Sequence, residues 1–162
     1  MPPSQLDLKQ YLPIFIDGLR EKIDPYRFLA IMGSFDLIET SPTRQLIETI
    51  PQIIIPFRHA LNTKDRDIVG LICKVLQKLV ISHPEAGVHL VPYYRQLLPS
   101  FNLMKNWNLN IGDRIDYGQK NACNIGDLIQ ETLELMEKTG GEDAFINIKY
   151  MIPTYESVIF NH

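Results

Sequence analysis

Between Asp65 and Ser82, Ile68, Leu71, Ile72, Val75, Leu76, Leu79 and Val80 recur at the three- and four-residue spacing of one α-helix face. Gly70, Lys74, Gln77 and Lys78 fall opposite and predict a solvent-facing stripe. Asp65 suits the N-cap, where a side-chain oxygen satisfies free amides, and Asp67 sets a negative charge at the positive end of the helix dipole. His83-Pro84 ends the pattern. A second strong helix is predicted from Asn124, with Asp127 in a capping-box relation, through Ile125, Leu128, Ile129, Leu133 and Met136 to Gly140-Gly141. Weaker helical patterns cover residues 6–21, 25–39, 43–61, 84–104 and 143–150.

Prolines punctuate the weaker patterns. Pro25 and Pro84 fit first-turn positions, where no N–H is needed, whereas Pro13, Pro51, Pro56, Pro92, Pro99 and Pro153 are expected to start a new helix or bend one. Three recur in a similar setting: Leu12-Pro13-Ile14-Phe15, Ile55-Pro56-Phe57-Arg58-His59-Ala60-Leu61 and Val91-Pro92-Tyr93-Tyr94-Arg95-Gln96-Leu97. Their separations, 43 and 36 residues, fall around the roughly 40 to 47 residue period of helical-pair repeats. The middle unit, from Ile53 through Pro56, Leu61, Asp65, Ile68-Val69, Cys73, Leu76 and Leu79, has the HEAT form. That form is a kinked first helix, an Asp in the turn and a small residue inside the second helix. The pattern predicts an all-α fold, a HEAT- or armadillo-like α-solenoid of stacked helix pairs, as one domain over residues 1–162.

A polar stretch at about 105–124, rich in Asn and Gly, separates the two strongest helices and exceeds the ~12 to 15 residues of an ordinary loop. It holds the single tryptophan, Trp107, with Ile111, Ile115 and Tyr117, so an ordered loop packed on the helices is expected. Ordering a long loop costs entropy, and these apolar side chains give it something to bury. Asn106, Trp107, Asn108, Asn110, Arg114 and Tyr117 are therefore candidate partner-binding residues. Lys74 and Lys78, on one helix face, read either as solvation or as a contact for an acidic partner.

Composition narrows the function classes. The 162 residues are 45% hydrophobic and 22% charged, as in an ordinary folded protein. The 16 basic residues are outnumbered by 19 acidic ones, against the dense Lys/Arg surface that nucleic-acid binding requires. Cys73 and Cys123 are too few for a disulfide framework and wrongly spaced for a thiolate zinc site, so a reducing compartment is expected. The start, Met1-Pro2-Pro3-Ser4-Gln5, lacks the form of a secretory signal, and the apolar runs are far shorter than the ~18 residues of a membrane helix.

Enzyme signatures are absent: there is no phosphate-binding loop, dinucleotide glycine fingerprint, nucleophile elbow or His-Glu-x-x-His helix. No catalytic activity, cofactor or metal is expected; an unlisted hydrolase would need a cleft with convergent polar groups. His83, Glu85 and His89 cluster, but the two histidines are not placed as i and i+4 ligands, and a helix-start turn accounts for them. Asp113, Arg114 and Asp116 lack the alternation of a calcium loop and read as a salt-bridged turn. Tyr93, Tyr94 and Arg95 read as half-buried packing residues, or as a stacking and carboxylate-gripping group. Trp107 reads as a loop anchor or as a partner contact.

Several unbroken stretches resemble the parkin co-regulated protein family. They are Leu76-Gln77-Lys78-Leu79-Val80, Val91-Pro92-Tyr93-Tyr94-Arg95-Gln96-Leu97-Leu98-Pro99, Ile115-Asp116-Tyr117 and Asn124-Ile125-Gly126-Asp127-Leu128-Ile129-Gln130-Glu131-Thr132-Leu133-Glu134. Gly140-Gly141-Glu142-Asp143-Ala144-Phe145-Ile146-Asn147-Ile148-Lys149-Tyr150 and Ile152-Pro153-Thr154-Tyr155-Glu156-Ser157 continue the likeness. Tyr11-Leu12-Pro13, Asp17-Gly18-Leu19, Pro25-Tyr26 and Pro51-Gln52-Ile53-Ile54-Ile55-Pro56 extend it to nearly the whole chain.

The resemblance implies a non-enzymatic adaptor of cilia and flagella at the inner junction of axonemal doublet microtubules, helping to close the B-tubule onto the A-tubule. Its implied partners are tubulin, a small β-sandwich junction protein and other axonemal proteins, with no nucleic acid and no membrane; mammalian members also imply a small sperm-differentiation partner. Cytoplasm, cytoskeleton and axoneme are the implied locations. Longer members of the family carry an N-terminal extension that engages the microtubule, whereas this chain starts almost at its first helix, so that contact is not carried over. Residues 40–48 and Lys120-Asn121-Ala122-Cys123 also depart from the family pattern. The competing expectation is a free cytosolic helical-repeat scaffold for complexes or cargo.

Overall fold

Local capping chemistry sets where the helices begin. Asp65 accepts hydrogen bonds from the Asp67 and Ile68 amides at 3.0 and 3.3 Å, Asn124 from the Asp127 amide at 3.2 Å, and Asp7 from Lys9 at 3.2 Å, each satisfying donors that have no intrahelical partner. The computed structural model describes residues 7–105 and 124–159, and the regular elements among them are helical. They are α1 (Leu8–Asp17), α2 (Tyr26–Thr40), α3 (Thr43–Asn62), α4 (Arg66–Ser82), α5 (Ala86–Leu90), α6 (Tyr94–Met104), α7 (Ile125–Thr139) and α8 (Ala144–Met151). Short 3-10 turns cover Gly18–Arg20 and Val91–Tyr93. Both strong helices stand where the periodicity puts them, with Asp65 and Asn124 as their caps.

The prolines were expected to start a new helix or to bend one, and the structure decides the first alternative. Pro13, Pro51, Pro56 and Pro99 start no new helix and lie inside α1, α3 and α6. Each removes a single N–H, whereas α3 buries Leu46, Ile50, Ile53, Ile54, Phe57, Ala60 and Leu61, and that burial outweighs the two donors its prolines remove. Pro51 and Pro99 sit on the exposed side, open to water. Pro92 does divide its segment: residues 84–104 form α5, a 3-10 turn and α6 in place of one helix. Pro153 falls in the turn after α8.

Neighbours follow two successions. In one, α1 packs on α3, α3 on α6 and α6 on α8; in the other, α2 packs on α4 and α4 on α7. Contacts of α1 with α2, α3 with α4, and α7 with both α6 and α8 join them. One buried apolar cluster runs through these helices from Leu8 to Tyr155, with Phe57, Leu76, Phe101 and Leu133 wholly enclosed. Short α5 fits against α7 because Gly87 has no side chain: a Cβ there would lie 2.2 Å from Thr139 Oγ1. After α7 the chain reverses through Gly141 at φ 82°, the left-handed conformation glycine adopts without penalty.

The position of α4 between α2 and α7 corrects the expected solvent stripe. Gly70 faces Leu128, whose Cδ2 would be 3.6 Å from an added Cβ. Gln77 donates to Thr132 Oγ1 at 3.0 Å, and Lys78 pairs with Glu39 of α2 at 3.4 Å. Of the four, Lys74 is the exposed one.

Candidate interaction surfaces

The predicted partner-binding residues divide into those the structure places and those it does not. Lys74 projects into solvent from α4, whereas Lys78, one turn later, is engaged across the α2–α4 contact by Glu39. An exposed pair of this kind contributes about 1 kcal/mol or less, so Lys78 remains available for exchange with another carboxylate. Asn106, Trp107, Asn108, Asn110, Arg114 and Tyr117 lie outside the described residues, as do Ile111, Asp113, Ile115, Asp116 and Cys123.

His83 follows the last turn of α4, and both its ring nitrogens are engaged. Nε2 lies 2.7 Å from the Ile38 carbonyl and Nδ1 2.8 Å from Thr43 Oγ1. The Ile38 carbonyl can only accept, so Nε2 donates to it, and the Thr43 hydroxyl can serve either role at Nδ1. It thus ties the end of α2 to the start of α3, where a polar group is buried and needs both partners. Among the described residues no three His, Cys, Asp or Glu side chains gather as a metal site would require. No helix among them is long and apolar enough to cross a membrane.

A constellation the sequence does not announce lies at the end of α7. Glu137 is 2% exposed and receives Tyr155 Oη at 2.6 Å, the Val158 amide at 3.0 Å and the Ser157 hydroxyl. Burial pushes its carboxyl upward, but these donors, with the Ile159 amide, outweigh that and hold it below the ordinary carboxylate value. Four residues on, Gly141 turns the chain into α8, and the segment after α8 returns to Glu137. The carboxylate fastens residues 155–159 to α7. Tyr155 also stacks obliquely on Phe145, with ring centroids 6.1 Å apart, under the Lys105 ammonium at 5.5 Å. An acidic residue at a helical core position is the signal that would have pointed there.

Beside this clasp, α6 and α8 enclose an open groove of ≈ 340 Å³, whose lining includes Pro92, Tyr94, Arg95, Ile146 and Tyr150. The three residues singled out in this region separate by environment: Tyr94 is buried with Oη 3.5 Å from the Met136 carbonyl, Tyr93 is half-buried against the core, and Arg95 is exposed. Ile146 and Tyr150 are exposed on the outer side of α8. Asp143 and Asn147 line the groove too, so apolar side chains stand beside one guanidinium, one carboxylate and one amide, the makings of a peptide contact.

The stretches from Val91 to Pro99, Asn124 to Glu134, Gly140 to Tyr150 and Ile152 to Ser157, which carried the resemblance, build α6, α7, α8 and the clasp. The sequence profile of the parkin co-regulated protein family matches residues 1–157. The chain belongs to the parkin co-regulated protein family. It is similar to the Parkin coregulated gene protein homolog of Mus musculus, 54% identical over 158 residues, a match covering 98% of this chain and 65% of the mouse protein. The chain therefore spans about two thirds of the length of the curated relative it matches. For this member of the parkin co-regulated family, the helices and the two side chains that Glu137 holds, Tyr155 and Ser157, lie within the matched span, up to residue 157.

Proposed function

We propose that this protein is a non-enzymatic structural adaptor of ciliary and flagellar axonemes, binding tubulin and a small β-sandwich junction protein where the B-tubule meets the A-tubule. Family membership over residues 1–157 is the observation that carries the reading. The helix succession supports it physically. Pro13, Pro56 and Pro92 fall in α1, in α3 and just before α6, which are consecutive neighbours along one row, as equivalent positions of a repeat would be. The fold reads accordingly as a HEAT- or armadillo-like solenoid, in which stacked helix pairs make a rigid spacer. Such a body can clamp two proteins at once, because the outward side of α4 with Lys74 and the groove between α6 and α8 belong to different rows.

Detergent extraction of cilia tests the assignment. The adaptor stays with the doublets and appears between the tubules in a cryo-EM map; a protein released with the soluble matrix is a free cytosolic scaffold, and the proposal fails. Shortening the segment between Asn106 and Asn121 adds a second arm, with circular dichroism beside a pull-down. Retained helical content with weakened association places a partner contact on that segment, and unchanged binding assigns the contacts to the helical faces.

A further inference from the structure

Helix α2 is apolar on more than its core side. Ala30, Ser34, Leu37 and Ile38 are buried, yet Phe28, Leu29 and Met32 are 58%, 56% and 45% exposed. Phe28, Met32, Phe35 and Glu39 follow one another at helical steps of four and three, with Leu29 and Asp36 alongside, so they share one face. Phe28, Leu29 and Met32 turn away from α1 and α4, the helices α2 chiefly packs on, while Phe35 is half-buried against the core and Glu39 reaches across to Lys78 of α4; α2 stands first in its succession. Terminal units of stacked arrays ordinarily present a polar outer side. Three bulky apolar side chains on adjacent turns keep a contiguous area in water that burial would release.

The rim supplies the chemistry of the occupant. Glu21 and Asp24 precede the helix and Asp36 and Glu39 lie along the same face as the apolar residues. Lys22 is engaged by Asp65, and Lys78 is drawn to Glu39 from α4, which leaves Arg27 as the nearby cation on the flank. We infer that this face docks a basic amphipathic helix of a partner protein. Its apolar side lies on Phe28, Leu29 and Met32, and its lysines or arginines reach Asp36 and share Glu39 with Lys78. A second copy stacked end to end is a poorer occupant: α7, last in the same succession as α2, presents Asp127 and Glu131 outward against one lysine, Lys138 in its last turn, so carboxylates would mostly meet carboxylates. The contact does not depend on where the protein assembles, and it uses none of the groove between α6 and α8.

The test uses the full chain, isotope-labelled, with two synthetic helical peptides of about 18 residues that share a leucine face and carry either lysine or glutamate on the other. The leucine–lysine peptide is expected to shift the amide resonances of residues 26–39 and to bind at least about tenfold tighter than its glutamate counterpart. Phe28→Ser with Met32→Ser, both exposed and checked for an unchanged melting curve, is expected to weaken that binding by a similar factor. Asp36→Lys with Glu39→Lys is expected to reverse the preference between the peptides. Equal binding of both peptides, no binding, or shifts centred on Asp127 and Glu131 of α7 would overturn the inference. So would concentration-dependent self-association that the Phe28→Ser, Met32→Ser variant abolishes, because the occupant would then be a second copy.

Discussion

Glu137 and Tyr155 meet through a 2.6 Å hydrogen bond in which the phenol donates to a buried carboxylate. The bond joins α7 to the segment beyond α8, and Ser157 and the Val158 amide complete the set. A charge in such a site is stabilised only while all its donors are present.

Glu137→Gln is therefore expected to cost about 1.5 to 3 kcal/mol, because hydrogen bonds to a charged acceptor are exchanged for weaker ones. The pH dependence follows from the lowered carboxyl pKa. A folded value below the ordinary 4.5 means the contribution is complete above that value and disappears as pH falls through the folded one. Thermal melts of the parent between neutral and acidic pH should lose stability there, with Glu137→Gln showing a shallower loss. Parallel curves for the two proteins would refute the clasp.

Leu76, wholly buried in α4, tests the core. Leu76→Ala is expected to destabilise by about 2 to 5 kcal/mol, the cost of lost burial plus a cavity. Urea unfolding followed by circular dichroism measures it; an unchanged midpoint would show that the α4 stripe is not the core.

Lys64, two residues after α3, stands at φ 54°, in the left-handed region where a side chain crowds the backbone. Lys64→Gly relieves that crowding while adding freedom to the unfolded chain. The expected balance is a gain of about 0.5 to 1 kcal/mol, the scale of glycine's conformational effects. A lower melting temperature would contradict the assignment of strain to this position.

Cys73 is buried, and burial pushes its thiol up to about 12, with a hydrogen-bond contribution from Thr132 acting the other way. The thiolate that reacts with alkylating agents is therefore scarce near neutral pH. Iodoacetamide is expected to leave Cys73 unmodified in the folded protein and to label it in urea, as read by peptide mass spectrometry. Cys73→Ala is expected to retain partner binding, and a folded variant that lost it would give this residue a role beyond packing.

Helices α4 and α7 were legible in the sequence because their information is local. Apolar spacing sets the buried face, and Asp65 and Asn124 set the start within one turn. The effect of the prolines was not legible, since whether a helix continues past Pro51 or Pro56 depends on how much surface the rest of α3 buries against other helices. Nor was the surroundings of Gly70 and Gln77: periodicity placed them opposite the core face, and the packing of α7 on α4 covered them. The two features that matter most, one buried and one exposed, were decided by tertiary structure alone. Glu137 becomes an anchor only when residues 155–159 return to it, 18 to 21 positions along the chain. The apolar side of α2 becomes a surface only because no described helix packs beyond it, and apolar residues spread over several sides of the helix leave no stripe from which that could be read.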